Sequence, residues 1–380
     1  MSKSLGKVTD WAGEPSFPAL ITAAGIVTYA DLEALIAGMT RRLRDSGLRP
    51  GQGILLDPSD DAPGWIVALM ACLAADARVV VTDESWSAPV RQRALRRLPS
   101  PAAAGFAEDG SRITFVDPSR GETPEGERGA GIWLFTSGTT ADPEPHFRSV
   151  ADLGHMVARV KDRWPRTLTE NRPVVLCTAP LSHGFGLING LLLTLELGGT
   201  LVVADGGDPE GVMGLVRETG ARVLLGWPSH YEALARRELW SDSSNTKLAW
   251  CVSSSFKLDP AVAHRFAEIS GCPVRSQYGM TETGPLCLDG ETPAMSAPDC
   301  VGRPLRGVEV RVLGPEGGEM AAHTTGRLCV RVEGTNFVGL AGDAHAYWDT
   351  GDFGHVDDSG RIFVAGRARG FTDERKEIRA

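Results

Sequence analysis

The sequence predicts an α/β protein built from two parallel-sheet α/β subdomains and a smaller, β-barrel-like subdomain. Three observations predict it. Helices of amphipathic spacing lead repeatedly into short β-branched apolar runs bounded by Gly, Pro or Asp, the pattern of parallel strands covered on both faces. From residue 301 the texture changes to short strands and turns, VGRPLRGVEVRVLG, GRLCVRVEG and GRIFVAGRARG, which reads as mostly antiparallel β structure. A chain of 380 residues, 42% hydrophobic and 23% charged, also has enough apolar material for more than one core.

In chain order, a helix over 29–46 leads to a strand at 53–56, and a helix over 65–75 leads to a strand at 78–82. Residues 103–131, rich in Gly, Pro, Glu and Asp, read as a linker or irregular excursion. A strand at 132–135 enters the run Thr136-Ser137-Gly138-Thr139-Thr140, and a helix follows over 150–160. Three further helix–strand units follow: 187–197 into 199–203, 209–219 into 221–225, and 260–270 into 273–276. The expected subdomains are 1–130, 131–298 and 299–367, with a short hinge and tail at 368–380.

The net charge of −9 argues against a nucleic-acid partner, because such surfaces concentrate Lys and Arg. Seven scattered cysteines without a CxxC pair indicate neither a zinc site nor a disulfide framework, and read as reduced thiols of a cytoplasmic protein. The amino terminus lacks the apolar core of a secretory signal, and charges interrupt the two most apolar stretches, so no membrane span is expected.

Three stretches carry chemistry. Residues 136–140 offer hydroxyls and backbone amides to an anion between a strand and a helix, although the same run serves equally as a capped turn. Gln277-Tyr278-Gly279-Met280-Thr281-Glu282 follows a strand and falls at a carboxyl end, where open α/β sheets bind ligands. Its Glu282 is a natural magnesium ligand beside phosphate, and equally a helix-cap residue. Trp348-Asp349-Thr350-Gly351-Asp352-Phe353, with Gly366-Arg367 further on, supplies a carboxylate for ribose hydroxyls and an arginine for ribose or phosphate oxygens, yet DTGD is also a common turn.

Taken together and in this order, these stretches resemble the adenylate-forming superfamily of acyl- and aryl-CoA synthetases, luciferases and peptide-synthetase adenylation domains. The resemblance runs from TYADLEALIAGMTRRLRDSGLRPG through APLSHGFGL, GWPSHYEAL and QYGMTETGP to YWDTGDFGHVDDSGRIFVAGR. It implies activation of a carboxylic acid by ATP as acyl-AMP, then transfer to CoA, a carrier-protein phosphopantetheine thiol or an amine. It further implies that Thr136, Ser137, Gly138, Thr139 and Thr140 hold the triphosphate, that Glu282 binds Mg2+, and that Thr281 reaches the α-phosphate. Asp352 takes the ribose, Arg367 the ribose side of the nucleotide, and Tyr278, Gly279, Ser254 and Ser255 the adenine side. His183, Phe185, Trp227, Phe256 and Gly279 line the acyl pocket. The absence of an acid in SHGFG disfavours an α-amino acid, and the aromatic residues suit an aryl or short acyl substrate.

Two departures stand out. Where family members carry a glycine and then Pro-Lys-Gly, this chain reads Ala141-Asp142-Pro143-Glu144-Pro145-His146, with no lysine and two added acids that repel phosphate unless they face away or bind a metal. The mobile C-terminal lid of the family, which carries a second lysine, is not expected in the short tail. A degenerate relative that binds an acyl adenylate, acyl-CoA or carrier-bound acid without turning over ATP, or that takes its lid from a partner protein, is therefore the alternative reading.

Overall fold

The structure is a computed structural model, and it describes residues 11–59, 61–83, 86–98, 115–116, 129–136, 143–240, 246–290, 297–333 and 347–367. The chain packs as two units: Met1–Ala158 with Pro165–Leu225, and Arg159–Trp164 with Gly226–Ala380.

The first unit opens with a hairpin, β1 (Pro18–Thr22) and β2 (Gly25–Thr28), and helix α1 (Tyr29–Asp45). Thr28 caps α1 in a reciprocal capping box with Asp31. Then come β3 (Gly53–Leu56), α2 (Ala62–Ala74), β4 (Arg78–Val81), α3 (Ala88–Arg96), β5 (Phe115–Val116), β6 (Gly131–Phe135) and β7 (Pro145–Ser149). Strands β3, β4 and β6 pair in parallel, with β5 antiparallel at one edge and β7 antiparallel at the other. Leu55, Val80, Trp133 and Phe147 from four of these strands bury one face of the sheet with Leu98.

Helix α4 (Val150–Arg163) starts in the first unit and its last residues belong to the second. The first unit resumes with α5 (Arg166–Thr169), β8 (Val174–Cys177), a π-helix (Gly186–Leu192), α6 (Leu193–Glu196), β9 (Thr200–Val203), α7 (Pro209–Thr219) and β10 (Val223–Gly226). Strands β10, β8, β9 and β1 form a second parallel set edged by β2. Tyr29 is fully buried and donates its hydroxyl to the Gly199 carbonyl at 2.7 Å, tying α1 to the turn before β9.

In the second unit, α8 (Pro228–Leu234), β11 (Trp250–Ser253), α9 (Pro260–Ser270) and β12 (Val274–Met280) follow one another, with β11 and β12 parallel. Tyr231 and Trp240 meet Phe266 edge-on at 5.1 and 5.6 Å, and the Tyr231 hydroxyl donates to the Val252 carbonyl, fixing α8 and α9 over β11. The chain then turns antiparallel through β13 (Gly284–Leu288), β14 (Cys300–Pro304), β15 (Val308–Leu313), β16 (Gly326–Val332), β17 (Trp348–Val356) and β18 (Ile362–Arg367). From β14 on, these are the short strands that the change of texture after 301 announces; β13 comes before it. The last turn of α4 is anchored here: Arg159 and Arg163 donate to the carbonyls of Glu333 and Pro304, and Asp162 pairs with Arg306 at 2.9 Å.

All seven cysteines are buried and free. Among the described residues no helix is long and apolar enough to cross a membrane.

Candidate active site

The candidate residues fall on both units. In the second unit, β17 and β18 place Asp352 opposite Arg367 in register, while β12 carries Tyr278. The three meet on one carboxylate: the Tyr278 hydroxyl donates to Asp352 Oδ2 at 2.6 Å, and Arg367 Nε donates to Asp352 Oδ1 at 3.1 Å. Asp352 is 4% exposed, and its backbone N–H is held by Thr350 Oγ1 at 3.1 Å, which itself donates to the Leu328 carbonyl. Burial, and then the Asp352 charge, push the Tyr278 phenol well above its ordinary range, so it stays a donor. The sequence assigned Tyr278 and Asp352 to separate parts of a ligand; their mutual hydrogen bond is new.

Strand β12 turns into β13 through Thr281, Glu282 and Thr283, with the Thr283 N–H donating to the Met280 carbonyl. Thr281 and Glu282 stand half-buried on this turn. Gly279 lies at a bulge in the pairing, and a Cβ there would come within 2.6 Å of the Gly284 carbonyl oxygen and 2.9 Å of Pro285 Cα. Only glycine fits so close an approach, and that approach sets the turn bearing Glu282.

Magnesium beside a nucleotide takes one or two carboxylates and completes its shell with phosphate oxygens and water. A half-buried Glu282 on a turn fits that donor set. Among the described residues no group of three or more His, Cys, Asp or Glu is arranged to hold a metal unaided.

At the end of β11, Ser254 Oγ donates to the Gln277 carbonyl at 3.0 Å, joining the segment after β11 to β12. Ser255 is exposed at φ 75°, a left-handed conformation that suits glycine better. Phe256 is 62% exposed and meets Trp227 edge-on at 6.4 Å, and Trp227 stacks on His230 at 5.5 Å. Lys257 pairs with Asp299 and so has a carboxylate partner of its own.

In the first unit, β6 runs into the hydroxyl loop as expected, but the next element is strand β7 rather than a helix. The loop joins β6 to β7 in a hairpin, so the start of α4 lies a whole strand away from 136–140. Thr136 closes the hairpin: its N–H donates to the Glu144 carbonyl at 3.0 Å and its Oγ1 accepts the Glu144 N–H at 2.9 Å. The Glu144 side chain, 63% exposed, pairs with Arg97 at 3.1 Å, which neutralises one of the two added acids. Ser137, Gly138, Thr139, Thr140, Ala141 and Asp142 lie outside the described residues, as does the tail 368–380.

His183 and Phe185 precede the π-helix. His183 Nδ1 accepts the Phe185 N–H at 3.4 Å, leaving the ring proton on Nε2. Burial lowers the imidazole's proton affinity, partly opposed by the Asp83 charge. Phe185 is buried.

The chain is similar to known proteins over most of its length. An oxalate–CoA ligase of Arabidopsis thaliana is 25% identical over 394 residues, covering 90% of this chain and 74% of its own. A p-hydroxybenzoic acid–AMP ligase of Mycobacterium tuberculosis is 28% identical over 338 residues, covering 84% of this chain and 46% of its own. Among solved structures, ATP-bound MatB from Rhodopseudomonas palustris superposes with a TM-score of 0.78 at 22% identity, over 95% of this chain and 78% of that one, and shares the fold. Residues 117–337, more than half of the sequence, match the AMP-binding enzyme family, and the chain belongs to that family.

Proposed function

We propose that this AMP-forming acid ligase activates an aryl or short acyl carboxylic acid and passes the acyl group to CoA, a carrier-protein thiol or an amine. The observation that carries the reading is the meeting of Tyr278, Asp352 and Arg367, drawn from two distant motifs, on one buried carboxylate. Each Asp352 oxygen has a second lone pair to offer a ribose hydroxyl, while Tyr278 and Arg367 hold the carboxylate still. The adenine side falls to Tyr278, Gly279, Ser254 and Ser255. Thr136 and its neighbours 137–140 hold the outer phosphates, and Thr281 donates to the α-phosphate.

In the reaction, a carboxylate oxygen of the acid attacks the α-phosphorus in line. The bond from that phosphorus to the bridging oxygen breaks, and pyrophosphate leaves with the electron pair. The protein's contribution is position and charge. Glu282 holds Mg2+, which offsets the phosphate charge when bound. A cation brought by a further domain or a partner protein stands in for the lysine that the loop at 141–146 lacks. His183, Phe185, Trp227, Phe256 and Gly279 contact the acid. The exposed Phe256 ring, edge-on to a half-buried Trp227 that stacks on His230, favours a planar aryl acid, as does similarity to a ligase of p-hydroxybenzoic acid. Seven free, buried thiols support a cytoplasmic location.

The test is pyrophosphate release from ATP and Mg2+ with a panel of aryl and acyl acids. Release is expected with at least one aryl acid, and Glu282→Ala is expected to lower it by about a hundredfold or more. Silence across the panel, together with no heat of ATP binding, would defeat the reading.

A further inference from the structure

The stretch Gly186–Glu196, GLINGLLLTLE, is apolar except for Asn189, Thr194 and the closing Glu196, and it forms the π-helix and α6. Asn189 and Thr194 are both 0% exposed. Neither the Asn189 Oδ1 and Nδ2 atoms nor Thr194 Oγ1 finds a hydrogen-bond partner among the described residues. Helical threonines elsewhere in this chain satisfy themselves on the preceding turn: Thr40 donates to the Ile36 carbonyl at 2.7 Å and Thr219 to the Leu215 carbonyl at 2.6 Å. Thr194 does not, at the point where i→i+5 bonding, Leu193 N–H to Ile188 carbonyl, gives way to the α-helix.

Three unmet polar atoms in one apolar helix are a cost without structural return. A leucine at 189 would fill the same space and spare the desolvation of an amide. The π-turn is a second cost, since such turns are rare and concentrate at functional sites. The helix also begins on the segment that carries His183 and Phe185, and is locked to it: a Cβ at Gly186 would lie 2.2 Å from the Pro180 carbonyl oxygen. Asn189 lies four residues beyond Phe185, about one helical turn or roughly 6 Å along the axis. That spacing suits a group remote from the carboxylate of an acid lying against Phe185.

We propose that Asn189 is a specificity-determining residue whose amide hydrogen-bonds a hydroxyl or amino group carried by the acid at a distance from its carboxylate. The inference rests on the acid-binding part of the proposed function and names its substrate class: polar-substituted carboxylic acids in preference to their unsubstituted parents. An amide supplies both a donor and an acceptor, which a hydroxyl meets with its lone pairs and its proton. Because solvent does not reach the amide, the acid's polar group meets it by displacing apolar side chains. The π-turn gives the slack, since one bond can pass from i→i+5 to i→i+4 without breaking the rest of the helix.

The experiment compares benzoate with 4-hydroxybenzoate, and cinnamate with 4-hydroxycinnamate, on the full chain and on Asn189→Leu. The readouts are kcat/KM for pyrophosphate release, calorimetric binding of each acid without ATP, and melting temperature. The full chain is expected to favour a hydroxylated acid by at least about tenfold, and Asn189→Leu to bring that ratio to within about twofold, the loss falling on the hydroxylated member. Each ratio is internal to one protein, so a partial loss of folded material cancels. Asn189→Thr, smaller but hydroxyl-bearing, is the second variant and is expected to keep an intermediate ratio. A ratio near one in the full chain, or a ratio that survives Asn189→Leu, overturns the proposal. So does a lowered melting temperature with selectivity intact, which assigns Asn189 to the fold. Binding selectivity that Asn189→Leu abolishes upholds it even where no pyrophosphate is released, a result that would sink the adenylation reading instead.

Discussion

Asp352 shows how one buried charge is made usable. Its two oxygens accept from a phenol and a guanidinium, its N–H is held by Thr350, and burial excludes the water that would otherwise screen it. Tyr278→Phe removes one donor and leaves Asp352 Oδ2 without its partner. The expected result is a loss of about 1–3 kcal/mol in urea unfolding and a raised KM for ATP, with a smaller effect on the KM for the acid. A variant with unchanged ATP affinity would show that the phenol serves the fold alone. The participants were legible in the sequence as separate motifs. Their mutual bonds were not, because Tyr278 and Asp352 stand 74 residues apart and only strand pairing joins them.

At the scale of elements, the β12–β13 hairpin carries the candidate residues Tyr278, Gly279, Thr281 and Glu282, and its geometry depends on the missing side chain at Gly279. Gly279→Ala pushes against backbone on the facing strand, which cannot rotate away as a side-chain tip can. A loss of about 1–3 kcal/mol is expected, together with weakened ATP binding measured by calorimetry; retention of both would mean that the bulge tolerates a methyl group. The longer helices α1, α2, α4, α7 and α9 were readable from periodicity, and α7 and α9 start and end where the sequence places them. Others were not, and two of them show why. Strand β7, PHFRS, has one strongly apolar residue and opens on proline, which suits an edge strand and hides it from a search for apolar runs. The π-helix was read as part of an ordinary helix over 187–197, because residues apolar on all sides carry no phase to distinguish 3.6 residues per turn from a wider one.

For the molecule as a whole, acid stability should betray a buried histidine. His146 on β7 has a buried Nε2 without a hydrogen-bond partner among the described residues, and burial, aided by the Arg148 charge, pushes its pKa down to about 4 from an unperturbed 6.5. The folded chain refuses a proton that the unfolded chain accepts between those values. Stability therefore falls as pH drops from 6.5 toward 4, by at most about 3.4 kcal/mol at ~1.36 kcal/mol per pH unit, and this contribution levels off below 4. His183, also lowered, acts with the same sign. Asp357 acts in a lower window: against the opposing effect of burial, bonds from Arg361 and Ser359 hold its carboxyl below 3.8, so its contribution is lost only as pH falls below that value. Urea midpoints followed from pH 7 to 4 are expected to slope downward, and to slope less in His146→Asn; equal slopes would remove His146 from the account.

The last turn of α4 has a consequence for how such a protein can be divided. Arg159, Asp162 and Arg163 belong to the second unit through Glu333, Arg306 and Pro304, although residues 165–225 return to the first. A single cut after residue 225 therefore yields no self-sufficient second half: the downstream fragment would expose two carbonyls and an arginine whose partners stayed with the other piece. During synthesis these three residues emerge from the ribosome long before Pro304, Arg306 and Glu333. The second unit is thus completed by residues made with the first, and it cannot be exchanged as a cassette at one junction.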